Sequence, residues 1–176
     1  MPKVKQITIS ASMLALAIVF AMFFHLTGID AMAFSPLHIP VFVCGLLCGA
    51  YYGGAVGFLV PFLALLLTGK PVLFPPFAQA MALEMAVYGA VCGIMARNRK
   101  RPKALNIYIT VILAQILGRI CGGALFAALP RPPMMAYSFD VFMAMYFTGT
   151  LPGIILQLAL IPPLVLAIEK ATKKEL

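Results

Sequence analysis

Long apolar stretches occupy nearly the whole of this chain and constrain its fold more than any other feature. Six of them follow one another with short connections, most close to the roughly 20 residues that cross a bilayer as a helix. Hydrophobic residues make up 63% of the sequence and charged residues 10%, so charged side chains cannot cover the surface of a water-soluble protein. The sequence therefore predicts an all-α integral membrane bundle of six transmembrane helices, a single domain over residues 1–176.

The predicted spans are separated by glycine, proline and polar residues. They are Ile7–Thr27, Leu37–Ala50, Tyr52–Thr68, Pro76–Arg97, Ala104–Leu129 and Val141–Lys170. The second span is short, and only the region around Gly49–Gly54 separates it from the third. A tight helical hairpin of these two spans is therefore one expectation, and a total of five spans is the alternative.

Lysine and arginine are distributed unevenly over the predicted connections. Ten of the 13 precede the first span, fill the fourth connection or follow the last span: Lys3, Lys5, Arg97, Arg99, Lys100, Arg101, Lys103, Lys170, Lys173 and Lys174. The opposite side has only Lys70 and Arg131. Because positive residues favour the cytoplasmic side, six spans place both termini in the cytoplasm. Connections 28–36, 69–75 and 130–140 then face outward.

A cleavable signal peptide is an alternative for the N-terminal stretch. Lys3 and Lys5 precede an apolar run that is followed by Ala31-Met32-Ala33, as in a secretory signal. The apolar run is longer than the roughly 7–15 residues usual in signal peptides, which favours a first membrane span.

The motifs exclude several classes of function. The nearest approach to a phosphate-binding loop is Ala64–Pro71, where Ala64 replaces the first glycine of G-x-x-x-x-G-K-[ST] and Pro71 replaces the magnesium-binding hydroxyl. The basic residues that give the net charge of +8 lie beside apolar spans, so they indicate membrane topology rather than nucleic acid binding. Since no nucleophile, base and orienting acid occur at usable spacing, we predict no enzyme and no cofactor.

The cysteines do not indicate a metal site. Cys44, Cys48, Cys92 and Cys121 all lie within predicted spans. Cys44 and Cys48 share a helix face, but no cluster of carboxylates or histidines accompanies them. We therefore interpret the four as small buried apolar residues.

Glu84 and Arg119 are ionisable residues inside predicted spans, where such a group costs about 2.5–3.5 kcal/mol on insertion scales. Counted from the outer ends of consecutive antiparallel spans, they lie about 12 and 16 Å deep, so the two groups could meet. Further polar side chains are expected at this level: Gln79, Tyr88, Gln115, Gln157, His38 and Tyr146. We predict a pocket that opens outward and binds a small polar ligand, with Arg119 facing a ligand carboxylate. The alternative is a buried Glu84–Arg119 salt bridge that only joins two helices.

Small residues recur at four-residue intervals and predict close helix packing. In the first span the pairs are Ala11 with Ala15 and Ala17 with Ala21. Glycines repeat in the same way later in the chain: Gly45, Gly49, Gly53, Gly57, Gly89, Gly93, Gly118, Gly122, Gly149 and Gly153. We interpret the glycines as internal packing positions and the Ala11–Ala15 ridge as a docking surface for another helix.

Taken together, these features resemble the substrate-binding S components of energy-coupling factor (ECF) vitamin importers. The resemblance covers essentially the whole chain. It depends on the order and spacing of four features: six spans in under 180 residues, the alanine ridge, the stretch Leu37-His38-Ile39-Pro40-Val41 leading to Cys44–Gly49, and Leu117-Gly118-Arg119.

The resemblance implies a multi-pass cell-membrane protein that captures a vitamin from outside, between its outer loops and helix ends. It also implies a coupling transmembrane subunit and two ATPase subunits as partners, in line with the missing phosphate loop. In the family mechanism the loaded S component topples within the bilayer, and ATP hydrolysis resets the complex. Ala11 and Ala15 match the family's A-x-x-x-A docking ridge.

The closest resemblance is to pantothenate-type members, in which Arg119 would meet the substrate carboxylate. Folate is a competing anion, whereas pyridoxine, hydroxymethylpyrimidine, riboflavin or a queuosine precursor would use Glu84 and the amides instead. Two other classes remain open: an autonomous ion-coupled transporter with Glu84 as proton carrier, and a structural membrane subunit without a ligand.

Overall fold

The computed structural model of the chain describes residues 2–29, 31–96 and 103–174, and it contains no strand in these ranges. The α-helices are α1 (Lys3–Thr27), α2 (Ala31–Phe34), α3 (His38–Cys48), α4 (Ala50–Thr68), α5 (Phe77–Met95), α6 (Lys103–Ala128), α7 (Phe139–Met143) and α8 (Leu151–Lys174). One π-helical turn, Ala144–Thr148, joins α7 to α8. Of the predicted basic connection, Arg97, Arg99, Lys100 and Arg101 lie outside the described residues.

Five helical segments of the described chain are long and apolar enough to cross a membrane: α1, α4, α5, α6 and the run Phe139–Lys170. The predicted second span differs from them, because α3 has 11 residues, about 16 Å of helix against a hydrocarbon core of about 30 Å. The all-helical membrane architecture is therefore confirmed. The count of six spans and the side on which the termini lie remain predictions.

The predicted hairpin of the second and third spans is present, and its turn is a single residue, Gly49, whose φ is +95°. Beyond the turn, α3 and α4 lie close enough that a Cβ on Gly53 would be 2.5 Å from the Cα of Gly45. Helix α5 also contacts α4 at Gly53, since a Cβ on this glycine would lie 2.7 Å from the backbone oxygen of Gly89. The glycines therefore let three helix backbones touch, as expected for internal packing positions.

Adding one methyl group at Gly53 is expected to lower the stability of the protein, whereas the same change at the adjacent Gly54 is not. Gly53→Ala places its Cβ against backbone atoms that cannot move aside, so we expect a loss of about 1–3 kcal/mol. Gly54→Ala is the matched control, because its Cβ would meet its nearest neighbours at ordinary distances of 3.5 and 3.7 Å. Thermal unfolding of the purified variants in detergent measures both. Equal midpoints for the two variants would contradict this packing.

Side-chain contacts gather several helix termini at one end of the bundle. Gln6 Nε2 donates to the Cys48 carbonyl at 3.2 Å, and Asn106 Nδ2 donates to the Met95 carbonyl at 3.3 Å. Lys103 forms an ion pair with Glu169. These contacts join the start of α1 to the end of α3, and the start of α6 to the end of α5 and to the C-terminal part of α8. We call this the basic end.

The opposite, proline-rich end contains the connections 69–76 and 129–138. The outer surface of the bundle between the two ends is apolar; Leu66, Ile94 and Ile155, for example, are 78%, 65% and 62% exposed. Large exposed aliphatic side chains on membrane-length helices are typical of a surface that faces lipid.

Candidate functional site

Arg119 lies in α6 and is only 2% exposed. Its Nε donates to the Tyr88 hydroxyl at 3.2 Å, and its Nη1 donates to the Thr150 Oγ1 at 2.9 Å and to the Tyr146 carbonyl oxygen. The guanidinium also lies 5.5 Å from the ring centroid of Phe147. One buried cation therefore joins α5, α6 and the segment that begins α8.

Tyr88 connects Arg119 to Glu84. Its hydroxyl accepts from Arg119 Nε and donates to Glu84 Oε1. Among the described residues no direct ion pair joins Glu84 to Arg119, and the Tyr88 hydroxyl bridges the two side chains instead. Phe42 of α3 stacks on the Tyr88 ring with centroids 4.8 Å apart, which holds the phenol in place between the two charges.

His38 is the first residue of α3, and its side chain lies next to Glu84. Its Nδ1 lies 3.0 Å from the Ser35 carbonyl oxygen, and its Nε2 lies 4.0 Å from Glu84 Oε1. Ser35, three residues before His38, has a non-helical backbone (φ 46°) and is buried inside the protein. Irregular backbone at membrane depth occurs where protein buries it or where it borders a cavity. We refer to His38, Glu84, Tyr88, Arg119 and Thr150 as the polar cluster.

The two predicted glutamines of α6 and α8 form a second set of contacts. Gln115 Nε2 donates to Gln157 Oε1 at 2.8 Å, and Gln157 Nε2 donates to the Ser35 carbonyl at 3.2 Å. Both side chains are at most 5% exposed, so each amide supplies the other with a hydrogen-bond partner that water would otherwise provide. We call this the amide chain; it ends on the Ser35 carbonyl, the oxygen that also faces His38.

Tyr146 and Gln79 were predicted to contribute their side chains to the pocket, and the structure shows other contacts for both. Tyr146 contributes its backbone carbonyl to Arg119. This carbonyl lies in the π-helical turn, and π turns are frequent at functional sites. Gln79 instead donates from Nε2 to the Leu73 carbonyl at 3.0 Å, so its contact is with the connection before α5.

Three participants were absent from the sequence prediction. Thr150 and the Ser35 carbonyl accept hydrogen bonds, and Phe147 lies over the guanidinium. A threonine beside glycines and a backbone carbonyl give no distinctive sequence signal. The break before Pro36 was the available signal for Ser35, since the residue before a proline is rarely helical.

The polar cluster is closed in this structure, in contrast to the open pocket that we expected. His38, Glu84, Tyr88, Arg119 and Thr150 are each between 0% and 8% exposed. A ligand at this place therefore needs a movement of the elements that cover it, or an exchange of their hydrogen bonds for its own.

A groove of about 280 Å³ lies beside the outer part of α6, between that helix and residues 137–142. Its wall includes Gly123, and a Cβ there would lie 3.1 Å from the Tyr137 hydroxyl. Gly122 precedes it, and a Cβ at Gly122 would lie 3.4 Å from Glu84 Oε2. The pKa of Tyr137 is raised, because burial and the negative charge of Glu84 outweigh the positive charge of Arg131, which lowers it. Gly123, which lines the groove, is therefore next in sequence to the glycine that faces the Glu84 carboxylate.

Ala11 and Ala15 lie on the exposed face of α1, whereas Ala17 and Ala21 are buried in the core. Thr8 and Ser12 are also exposed, and their hydroxyls donate to the carbonyls of Val4 and Thr8, each at 3.0 Å. Small side chains, with hydroxyl donors satisfied within the helix, therefore form the middle of this face, and the larger Ile7 and Val19 are exposed on either side of them. This is a surface that another helix can approach closely.

The fold and the cluster define a class: a helical multi-pass membrane protein with buried, charged hydrogen-bonding groups near the proline-rich end of its bundle. Residues 5–165 match the family described as "ECF transporter, substrate-specific component". The chain belongs to this family, whose members are substrate-binding transport subunits rather than enzymes, and which act with an ECF module. Comparison with curated proteins and with solved structures gave no match.

Proposed function

We propose that this chain is the high-affinity substrate-binding subunit of an ECF importer for a water-soluble vitamin or precursor, and that pantothenate is its substrate. The observation that supports a receptor role most strongly is the polar cluster itself. Two charged side chains, a phenol and an imidazole are buried together in the apolar part of the bundle, where packing alone would use hydrocarbon.

Arg119 would bind the substrate carboxylate. Its contacts with Tyr88, Thr150 and the Tyr146 carbonyl use Nε and Nη1, and all three partners are neutral acceptors. A carboxylate forms stronger, charge-assisted bonds with a guanidinium than neutral oxygens do. The two N–H groups of Nη2 take part in none of these three contacts and are the part of the fork proposed to meet the ligand.

The remaining predicted contacts would surround the rest of the molecule. Tyr88 links Glu84 to the guanidinium, and His38 faces Glu84. The amide chain formed by Gln115 and Gln157 meets the Ser35 carbonyl that His38 also contacts. Tyr146 and Gln79 remain proposed substrate contacts near the outer ends of their helices. Folate, pyridoxine, hydroxymethylpyrimidine, riboflavin and a queuosine precursor are the competing substrates.

The partners proposed are a coupling transmembrane subunit, which docks on the Ala11–Ala15 face, and two ATPase subunits. The Lys and Arg distribution supports a cytoplasmic location for both termini, and with them for the basic end. The alternative is an autonomous ion-coupled transporter with Glu84 as proton carrier, which the burial of Glu84 supports equally well.

Reconstitution distinguishes these functions. The purified chain should bind pantothenate in detergent, yet liposomes that contain the chain alone should show no sustained uptake. Uptake should begin only when the coupling subunit, the two ATPases and ATP are added. Sustained uptake by the chain alone, driven by a proton gradient, would contradict the proposal and support the autonomous transporter. Mass spectrometry of small molecules that copurify with the chain identifies the substrate directly.

A further inference from the structure

Inside the polar cluster, an acceptor nitrogen of His38 that has no donor among the described residues faces the Glu84 carboxylate. The Ser35 carbonyl can only accept, so His38 Nδ1, 3.0 Å away, carries the ring proton. Nε2 of the neutral ring is then an acceptor, and it faces Glu84 Oε1 at 4.0 Å. That distance is too long for a direct hydrogen bond. Among the described residues Nε2 has no hydrogen-bond partner.

An ion pair does not explain this arrangement. An imidazolium would donate from Nε2 to the carboxylate, and such charge-assisted bonds are about 2.7–2.9 Å long. The observed separation instead leaves His38 Nε2 without a donor, although His38 is 6% exposed, while Glu84 Oε1 accepts from the Tyr88 hydroxyl. A buried acceptor without a donor is unfavourable, and such groups in native proteins are normally satisfied.

The separation suits a donor group from outside the protein. One nitrogen or oxygen atom placed between the two acceptors would reach each at about 2.7–3.2 Å, the ordinary hydrogen-bond range. It would need two hydrogens, one for Nε2 and one for the carboxylate. Two neighbouring hydroxyl groups, each with one hydrogen, would serve equally.

We propose that Glu84 and His38 form a subsite that binds the donor end of the substrate, through an amino group or a pair of hydroxyl groups. This inference rests on the proposed function and adds a substrate class to it. The substrate would present an acceptor, such as a carboxylate, to Arg119, and its donors to Glu84 and His38. Tyr88 separates the two subsites, because its hydroxyl bonds to both charged side chains.

The groove beside α6 is the entry route from the proline-rich end that goes with this proposal. Gly122 faces Glu84 Oε2, and Gly123 forms part of the groove wall. The Tyr137 hydroxyl at this wall is buried and has no hydrogen-bond partner among the described residues. A substrate that carries donors would pass this phenol before it reaches the carboxylate.

The first test compares ligands on the unmodified full-length chain in detergent. The probes are pantothenate, a pantothenate analogue without its terminal hydroxyl, hydroxymethylpyrimidine and nicotinate. Pantothenate offers two hydroxyls, hydroxymethylpyrimidine offers an amino group, and nicotinate has a carboxylate but no donor. We expect one of the two donor probes to bind, and nicotinate to bind at least tenfold more weakly. If pantothenate is that probe, its deoxy analogue should also bind at least tenfold more weakly.

The second test uses Glu84→Gln and His38→Phe, which keep the approximate shapes of the side chains. Each should weaken binding of the preferred donor probe at least tenfold. If both residues bind one ligand group, the double variant should be less than threefold weaker than the worse single variant, because the two losses are then not additive. Glu169→Gln is the matched control, since it makes the same chemical change at the basic end and should leave affinity within twofold.

The outcomes separate this inference from the proposed function. Equal binding of nicotinate and the donor probes, affinities within twofold of the unmodified chain in both single variants, or fully additive losses would each overturn the subsite and leave the vitamin receptor intact. If the variants do not fold, the ligand comparison on the unmodified chain still decides. Absence of binding to every probe and to the other candidate vitamins would contradict the proposed function, and the subsite with it.

Discussion

Ala11→Leu combined with Ala15→Leu is expected to abolish uptake by the assembled transporter while the isolated chain keeps its ligand affinity. Both alanines lie on the exposed face of α1, beside Thr8 and Ser12, whose hydroxyls bond within the helix. Association of helices in lipid depends on close packing of small residues. Two leucines would separate the helix backbones by the width of their side chains. The polar cluster involves α3, α5, α6 and the segment around Thr150, so binding should not change.

The measurement pairs ligand binding by the purified variant with ATP-driven uptake in proteoliposomes that contain the partner subunits. The control is Ala55→Leu combined with Ala159→Leu, which makes the same change at two exposed alanines of α4 and α8. The control should transport at the normal rate. Normal transport by the α1 variant would show that the coupling subunit does not dock on the Ala11–Ala15 face.

Arg119→Ala is expected to weaken binding of an anionic substrate at least tenfold, or about 1.4 kcal/mol, without preventing membrane insertion. The substitution removes the proposed carboxylate partner. It also removes the donors to Tyr88, Thr150 and the Tyr146 carbonyl, so a lower unfolding temperature should accompany the lost affinity.

Two further variants separate the roles of charge and geometry at Arg119. Arg119→Lys keeps the charge but lacks the planar fork, so it should recover only part of the affinity. Arg131→Ala removes a guanidinium that bonds to the Phe126 and Ala127 carbonyls at the end of α6, and it should leave affinity within twofold. Unchanged affinity in a folded Arg119→Ala protein would show that the substrate binds elsewhere.

Much of the fold was predictable because the membrane restricts the choices. A segment surrounded by lipid must satisfy its backbone internally, so apolar length alone locates most of the helices. The hairpin turn at Gly49 followed from the glycine-rich stretch between two apolar runs. The shortness of the second span was also visible in the sequence, where it was predicted over Leu37–Ala50, and α3 begins one residue later and ends two residues earlier.

The candidate site was predictable in composition and less so in connectivity. Intramembrane charge singled out Glu84 and Arg119, and helical spacing placed Gln115 and Tyr88 on the relevant faces. That a phenol would stand between the two charges depends on side-chain directions, which spacing does not determine. The Tyr146 carbonyl depends on a local π turn, whose hydrogen bond from Gly149 N to the Ala144 carbonyl is 2.8 Å long.

The attachment of the last helix has a consequence for how the protein responds to its cargo. Hydrocarbon packing gives no solvent-driven attraction between helices in lipid. Around Thr150 and Gln157, the final helical run is tied to the bundle by bonds to Arg119, Gln115 and Ser35. Under the proposed function, a solute that takes over any of these bonds would loosen the attachment of this helix as it docks. A partner subunit would then distinguish a filled receptor from an empty one by how firmly the last helix is held.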